Sequence, residues 1–276
     1  MSIIGLEIEG HYLNIVEMKE SGGELTLVRY ATVHIPENIR DDMESMSLFI
    51  KNFVAEKRID SKETATFVSG QNVFIKFLSL PQMPDSDLKK TLWWEAERSA
   101  PFSLHDAFLD YHILKEVTFE DGARKVDVLV AAALGDVVER HVELLKHAGL
   151  NPSVVTAKPV AVAAAARNAR ACKTGGSTVV IDIGSTITTL VILKNGRVSF
   201  IREIRIGDSD LTNAISRGLS IDEMQAEILK RRHGCALQEE EARLLAIAVR
   251  KELDHMKDGI SFWEDIRDEV TGNIKT

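Results

Sequence analysis

The chain has 276 residues, 45% of them hydrophobic, and a formal net charge of −8; that is length for two ordinary domains and apolar material for a substantial core, which excludes a disordered chain. The acidic balance argues against general nucleic-acid binding, which needs a basic, phosphate-neutralising surface, and no run of 18 apolar residues offers a membrane span. Residues 1–7 lack the basic-then-apolar order of a secretory signal, and two isolated cysteines, Cys172 and Cys235, provide neither a zinc site nor a disulfide framework and fit a reducing cytoplasm.

Residues 3–35 read as a three-stranded meander, with Ile8, Leu13, Ile15 and Val16 in strands and Ser21-Gly22-Gly23 as the turn before Leu25-Thr26-Leu27-Val28. A helix follows over about 42–57, with Met43, Met46, Phe49, Ile50 and Phe53 on one face. Strands at 64–68 and 73–80 precede a loop containing Pro81 and Pro84. Asp85-Ser86-Asp87 then supplies capping side chains for a helix to about 98. Strands at 107–114 and 125–133 flank an acidic turn at Glu120-Asp121-Gly122. Asp136 opens a helix that Gly149 ends. Val154-Val155 is a short strand, and 159–171 an alanine-rich helix suited to close packing. Lys173-Thr174-Gly175-Gly176-Ser177 is the linker candidate between two subdomains. Strands at 179–183, 190–193 and 198–206 repeat the meander, with Asn195-Gly196 as a hairpin turn. Helices follow at 209–218, 221–233 and 239–255. The last segment, 258–276, has one amphipathic cluster at Ile260, Phe262, Trp263 and Ile266 and a polar end.

The most informative stretch is Val179-Val180-Ile181-Asp182-Ile183-Gly184-Ser185-Thr186-Ile187-Thr188-Thr189-Leu190. It reads as strand, polar turn, strand. An Asp at a strand end can orient a metal-bound water, a Gly lets backbone approach a phosphate, and Ser and Thr can bind its oxygens. Asp182, Gly184, Ser185 and Thr186 therefore suit a phosphate and magnesium pocket, with Asp182 toward the metal. The chain opens on an altered copy, Ile4-Gly5-Leu6-Glu7-Ile8-Glu9-Gly10. Aligning Glu7 with Asp182 also aligns Ile8 with Ile183, Val16 with Val191 and Lys19 with Lys194.

Paired β-meanders, each followed by helices, resemble the actin-like ATPase architecture: an α/β, ribonuclease H-like duplicated fold. Within it the chain resembles the PilM family, cytoplasmic type IV pilus assembly proteins related to the division protein FtsA. The resemblance rests on Leu80-Pro81-Gln82-Met83-Pro84, Leu88 and Trp94-Glu95-Ala96-Glu97-Arg98-Ser99-Ala100-Pro101-Phe102. It continues through Asp110-Tyr111, Val130-Ala131-Ala132-Ala133 and Ala148-Gly149-Leu150-Asn151-Pro152. Asp182-Ile183-Gly184-Ser185, Arg202-Glu203-Ile204-Arg205-Ile206-Gly207 and Ala226-Glu227-Ile228-Leu229-Lys230 complete it. It implies a first subdomain over 1–176 carrying a small inserted α+β subdomain at about 33–155, and a second, incomplete subdomain over 177–276. It also implies nucleotide roles for Asp182, Gly184, Ser185, Thr186, Gly207, Glu227 and Lys230. Glu227 and Lys230 lie three apart on one helical face; they are either an ordinary solvated pair or, as the family uses the motif, the ribose-binding element.

The first hairpin departs from the family pattern. An Asp is expected where Glu7 stands, a Gly where Glu9 stands and a cation where Asn14 stands. Glu9 puts a carboxylate where bare backbone should meet phosphate. Like charges about 4 Å apart repel by roughly 4 kcal/mol at an effective dielectric of 20, half of the roughly 8 kcal/mol that binds a micromolar ligand. Gly207-Asp208 stands where a Gly-Gly pair is common, and no adenine-cradling Gly-Gly loop follows the last helix. ATP and magnesium are thus optional cofactors, and no residue is assigned a catalytic role. The resemblance implies a scaffold recruited to the inner face of the cytoplasmic membrane. Its partner would be the cytoplasmic N-terminal segment of the inner-membrane protein PilN, in a groove that Pro81, Met83, Trp93, Trp94 and Phe102 help form. Adjacent on a helix, Trp93 and Trp94 cannot both face one core, so one packs inside and the other covers a seam or meets a partner. The alternatives are an active ATPase of the same machine, an FtsA-like division protein, and the cytoplasmic part of a GspL-like type II secretion protein. His141 and His147 lack metal-ligand spacing and are expected to be solvated.

Overall fold

The computed structural model describes residues 2–118, 124–168 and 176–233. In chain order the first elements are β1 (Ser2–Glu9), β2 (Tyr12–Ser21), β3 (Glu24–His34), α1 (Met43–Glu56), β4 (Glu63–Val68) and β5 (Val73–Pro81). Then come α2 (Asp85–Glu97), β6 (Ala107–Thr118), β7 (Arg124–Leu134), α3 (Gly135–His147), β8 (Asn151–Ala157) and α4 (Lys158–Asn168). The last are β9 (Ser177–Ile183), β10 (Thr188–Lys194), β11 (Arg197–Ile204), α5 (Asp208–Leu219) and α6 (Glu223–His233). The chain divides into two compact units, Met1–Asp210 and Leu211–Thr276. The acidic turn at 120–122, most of the linker candidate and everything expected after 233 lie outside the described residues.

The first sheet runs β3-β2-β1-β4-β8, antiparallel across the meander and parallel from β1 through β4 to β8. Alternation decides its faces: Ile4 and Leu6 on β1 and Leu13 and Ile15 on β2 point the same way and are almost fully buried. Met46, Ile50 and Phe53, at helical spacing on α1, cover them together with Leu145 on α3. Asp42 caps α1 by accepting a hydrogen bond from the Ser45 amide at 2.8 Å. Thr66 on β4 ties α3 to the sheet. Its hydroxyl donates to the Leu6 carbonyl at 2.9 Å and lies 2.8 Å from Nε2 of His141, which the first bond leaves as the donor. His141 is therefore not solvated as expected, whereas His147 is exposed.

A second sheet, β5-β7-β6, is antiparallel and comes from the part of the chain that follows β4 and precedes β8. Leu88, Leu92 and Ala96 bring α2 down on one face of it, against Val126, Val128, Val130 and Ala132 of β7. The expected insertion at 33–155 thus mixes two layers: α1, β4 and β8 belong to the first sheet because their apolar faces pack there. The cap of α2 also differs. Pro84 occupies the N-cap with no side-chain cap bond, and Asp85, already inside the first turn, pairs with Lys89 and accepts the Tyr111 hydroxyl. Pro84 has no side-chain oxygen to cap with; its carbonyl accepts the Asp87 and Leu88 amides at 3.0 and 2.9 Å.

The third sheet, β11-β10-β9, repeats the first meander. In the alignment of Glu7 with Asp182, the strand registers coincide: Glu7 faces Asn14 as Asp182 faces Thr189, and Gly5 faces Val16 as Val180 faces Val191. Even the irregularity of the middle strand recurs, at Glu17/Met18 and at Ile192/Leu193. Asn195 and Gly196 both adopt positive φ, 52° and 73°, as a tight hairpin turn requires. β10 is buried along almost its whole length, and the alanines of α4, Ala163 and Ala166, let the helix lie close on Val191 and Leu193. Residues 177–210 fall in the first compact unit.

Burial holds the His141 imidazole pKa below its ordinary value. The unfolded chain therefore binds the proton more readily, so this contribution to stability is complete above the unfolded pKa near 6.5 and is lost as pH falls below it. Urea unfolding should show the stability gap between the wild type and His141→Gln narrowing from pH 7 to pH 5.

Candidate functional site

The tips of the two repeated hairpins meet. In the second hairpin the ladder closes at Ile183 and Thr188, leaving a four-residue turn in which the Gly184 amide donates to the Ile187 carbonyl at 3.0 Å. In the first the ladder runs one pair further, to Glu9 and Tyr12, leaving only Gly10 and His11. Gly10 takes φ +54°, at the turn position where glycine is favoured. Each tip has one glycine that seats a side chain of the other. A Cβ on Gly10 would collide with the Ser185 side chain, and a Cβ on Gly184 would collide with Oε1 of Glu9.

Between the tips stands Lys158, the first residue of α4, only 2% exposed. Its ammonium donates to Glu9 Oε2 at 2.5 Å, lies 3.0 Å from Asp182 Oδ2 and 3.8 Å from Glu7 Oε1. The Phe67 ring lies 5.8 Å away. A cation at the positive end of a helix is disfavoured, so this lysine depends on its carboxylates. Burial opposes its charge, but the contacts with Glu9 and Asp182 outweigh burial and hold its pKa above the ordinary lysine value. Three carboxylates share one ammonium, and the excess falls on Glu9: burial, reinforced by Glu7, raises its carboxyl pKa against the pull of Lys158. Register adds a fourth acid. Asp182, Thr189 and Glu203 lie side by side across β9, β10 and β11. Burial raises the Glu203 carboxyl pKa, against a weaker opposing effect of Lys158. The cation missing at Asn14 is thus supplied by another element, and Asn14 instead donates to Glu7 Oε2 at 2.9 Å.

Gly207 completes the floor. A Cβ there would collide with the Ser185 carbonyl. The amides of Asp208 and Ser209 donate to the carbonyls of Gly184 and Ser185, each at 2.8 Å, so the turn caps the start of α5. The Gly207 amide donates to Asp210 Oδ2 at 2.8 Å. Asp182, Gly184, Ser185 and Gly207 are therefore brought together, with Thr186 exposed beside them. A phosphate would meet bare backbone at Gly184, where the Glu9 carboxylate stands. Asp182, the residue expected toward magnesium, faces an ammonium. Among the described residues no three His, Cys, Asp or Glu side chains are grouped to hold a metal.

In the second unit Glu227 and Lys230 form a satisfied cluster with a residue that sequence reasoning missed, Thr212. Glu227 Oε2 accepts the Thr212 hydroxyl at 2.9 Å and pairs with Lys230 at 2.6 Å, while Oε1 accepts Arg231 at 2.7 Å. Lys230 also donates to Thr212 Oγ1 at 2.7 Å. Burial works against the Glu227 charge, but Arg231, Lys230 and Thr212 overcome it and depress its pKa to about 2. Oε2 takes two partners and Oε1 one, so a further hydroxyl donor would be accepted at the remaining lone pair of Oε1.

The partner candidates gather around α2. Trp93, Met83 and Phe102 pack against the core between α2 and its sheet, and Met83 sulfur accepts the Thr91 hydroxyl at 3.5 Å. Pro81 ends β5 at the surface. Trp94 is 64% exposed, set edge-on to Trp93 at 5.1 Å, while Trp93 also meets His105. One tryptophan therefore packs inward and the other faces out.

Lys158→Met leaves the half-buried carboxylates of Glu7, Glu9 and Asp182 without their cation and should destabilise the chain by about 1–3 kcal/mol in chemical denaturation. For Glu227 a carboxyl-detected NMR titration should give a midpoint near 2. Its folded pKa is depressed, so its contribution is present above the unfolded value near 4.3 and is lost as pH falls toward 2.

Residues 5–264 match the family described as type IV pilus assembly protein PilM. A solved PilM–PilN type IV pilus biogenesis complex is similar with a TM-score of 0.81 and 28% identity, over 94% of this chain and 78% of that one. The ethanolamine utilization protein EutJ from Carboxydothermus hydrogenoformans is similar in fold, with a TM-score of 0.50 and 15% identity, over 100% of this chain and 73% of that one. The repeated meanders are those of the actin-like fold, and the chain belongs to the PilM family of type IV pilus assembly proteins.

Proposed function

We propose that the chain is a scaffold of a type IV pilus machine, working at the inner face of the cytoplasmic membrane. It binds the cytoplasmic N-terminal segment of a PilN-like inner-membrane protein, and its nucleotide cleft is partly degenerate. The observation that carries the partner assignment is Trp94, a large aromatic held out of the core on a well-packed helix. An aromatic anchor on a rigid element loses little entropy on binding, which is why such residues dominate interface energies. The similar structure is a PilM–PilN complex, which supports a PilN-like partner. Glu9 beside Gly184 supports the degenerate cleft. Among the described residues no helix is long and apolar enough to cross a membrane; in this reading contact with the membrane comes through the partner.

Titration of the full chain with a peptide of the PilN cytoplasmic segment tests this. Trp94→Ala should weaken binding by roughly 10- to 30-fold, the effect of an interface anchor, while leaving the thermal midpoint within about 2 °C because the side chain is outside the core. Unchanged affinity in the folded variant would place the peptide elsewhere.

A further inference from the structure

We infer that Glu9 is an internal ligand of the phosphate cradle: its carboxylate takes the anion position between Gly184 and Lys158, and an external polyphosphate enters only by displacing it. The inference deepens the reading of a degenerate cleft. It rests on the reciprocal seating of the hairpin tips. Glu9 and Gly184 are equivalent positions of the repeat, and the missing side chain of one makes the space that the other fills. The cradle is complete around it. Lys158 supplies the cation at 2.5 Å, Asp182 fixes that cation from the other hairpin at 3.0 Å, and the amides of Asp208 and Ser209 hold the Gly184 turn.

Two magnitudes show why a free anion competes poorly. A phosphate arriving with Glu9 in place meets a like charge, a penalty worth roughly a thousandfold in affinity at about 4 Å. Displacing Glu9 means competing with a tethered group, whose effective concentration is at least millimolar and rises with its orientation. The carboxylate also does what a bound phosphate would do mechanically, joining the two hairpins through one ammonium.

The test is calorimetry and thermal shift on the full chain with tripolyphosphate and with ATP, each with and without magnesium. The wild type should show no saturable binding at millimolar concentrations. Glu9→Ser, which clears the cradle and leaves Lys158, should gain at least tenfold in affinity for tripolyphosphate. Glu56→Ser, an exposed carboxylate on α1, should gain nothing. A gain for ATP alone would place recognition in the nucleoside and overturn the assignment. Glu9→Gln, which keeps the shape and removes the charge, should also gain affinity for tripolyphosphate, since Asp182 and Glu7 still pair Lys158. Micromolar binding by the wild type, or folded Glu9→Ser and Glu9→Gln variants without gain, would overturn it. Peptide titration of the same variants reads the scaffold function separately, so loss of one response with the other intact separates the two readings.

Discussion

A buried ammonium with more carboxylates than it can neutralise is the constraint around which the first unit is arranged. Lys158 lies at the start of a helix, out of water, where neither burial nor the helix dipole favours a cation. Only its partners keep it charged, and they come from strands far apart in sequence: Glu7 and Glu9 from β1, Asp182 from β9. Satisfying one side chain therefore fixes the first meander, the repeated meander and α4 relative to each other. The alanine-rich face of α4 serves the same end. Small residues bring the helix close to β10, and closeness puts its first residue between the hairpin tips.

Much of the fold was legible in the residues. Apolar alternation and the Ser21-Gly22-Gly23 and Asn195-Gly196 turns located the strands, and helical spacing located α1 and its buried face. The duplication was legible too, because strand register follows from side-chain alternation and a one-residue slip would expose each core face. The departure at Glu9 was legible against the family pattern, which has a Gly there. The cation it pairs with was not. Lys158 comes from a helix 149 positions away, and nothing local in Ala157-Lys158-Pro159 signals burial except the oddity of a lysine opening a helix. Thr212 was hidden for the same reason, since its partners Glu227 and Lys230 lie on the following helix. The aspartates before α2 misled because capping residues and first-turn residues share composition, and Pro84 decided the boundary.

The inserted sheet obeys a different logic. Its one helix covers one face, and Leu88, Leu92 and Ala96 leave Trp93 at the edge of that contact and Trp94 beyond it. Trp93 is steadied by edge contacts with Trp94 and His105. In the proposed reading, a partner peptide would meet Trp94 on this base. The electrostatic cluster near Lys158 and the aromatic edge of α2 are thus built from different physical materials, one from desolvated charge and the other from rigid apolar surface.

The reciprocal seating of Glu9 over Gly184 and Ser185 over Gly10 restricts how this region can diverge. A side chain gained at 184 meets the Ile187 carbonyl of its own turn as well as the end of Glu9, so shortening residue 9 alone makes no room for it, and one gained at 10 adds a strained backbone to its clash with Ser185. Each glycine is therefore held twice, by its own hairpin's backbone and by the opposite tip, and a change across the seam releases neither.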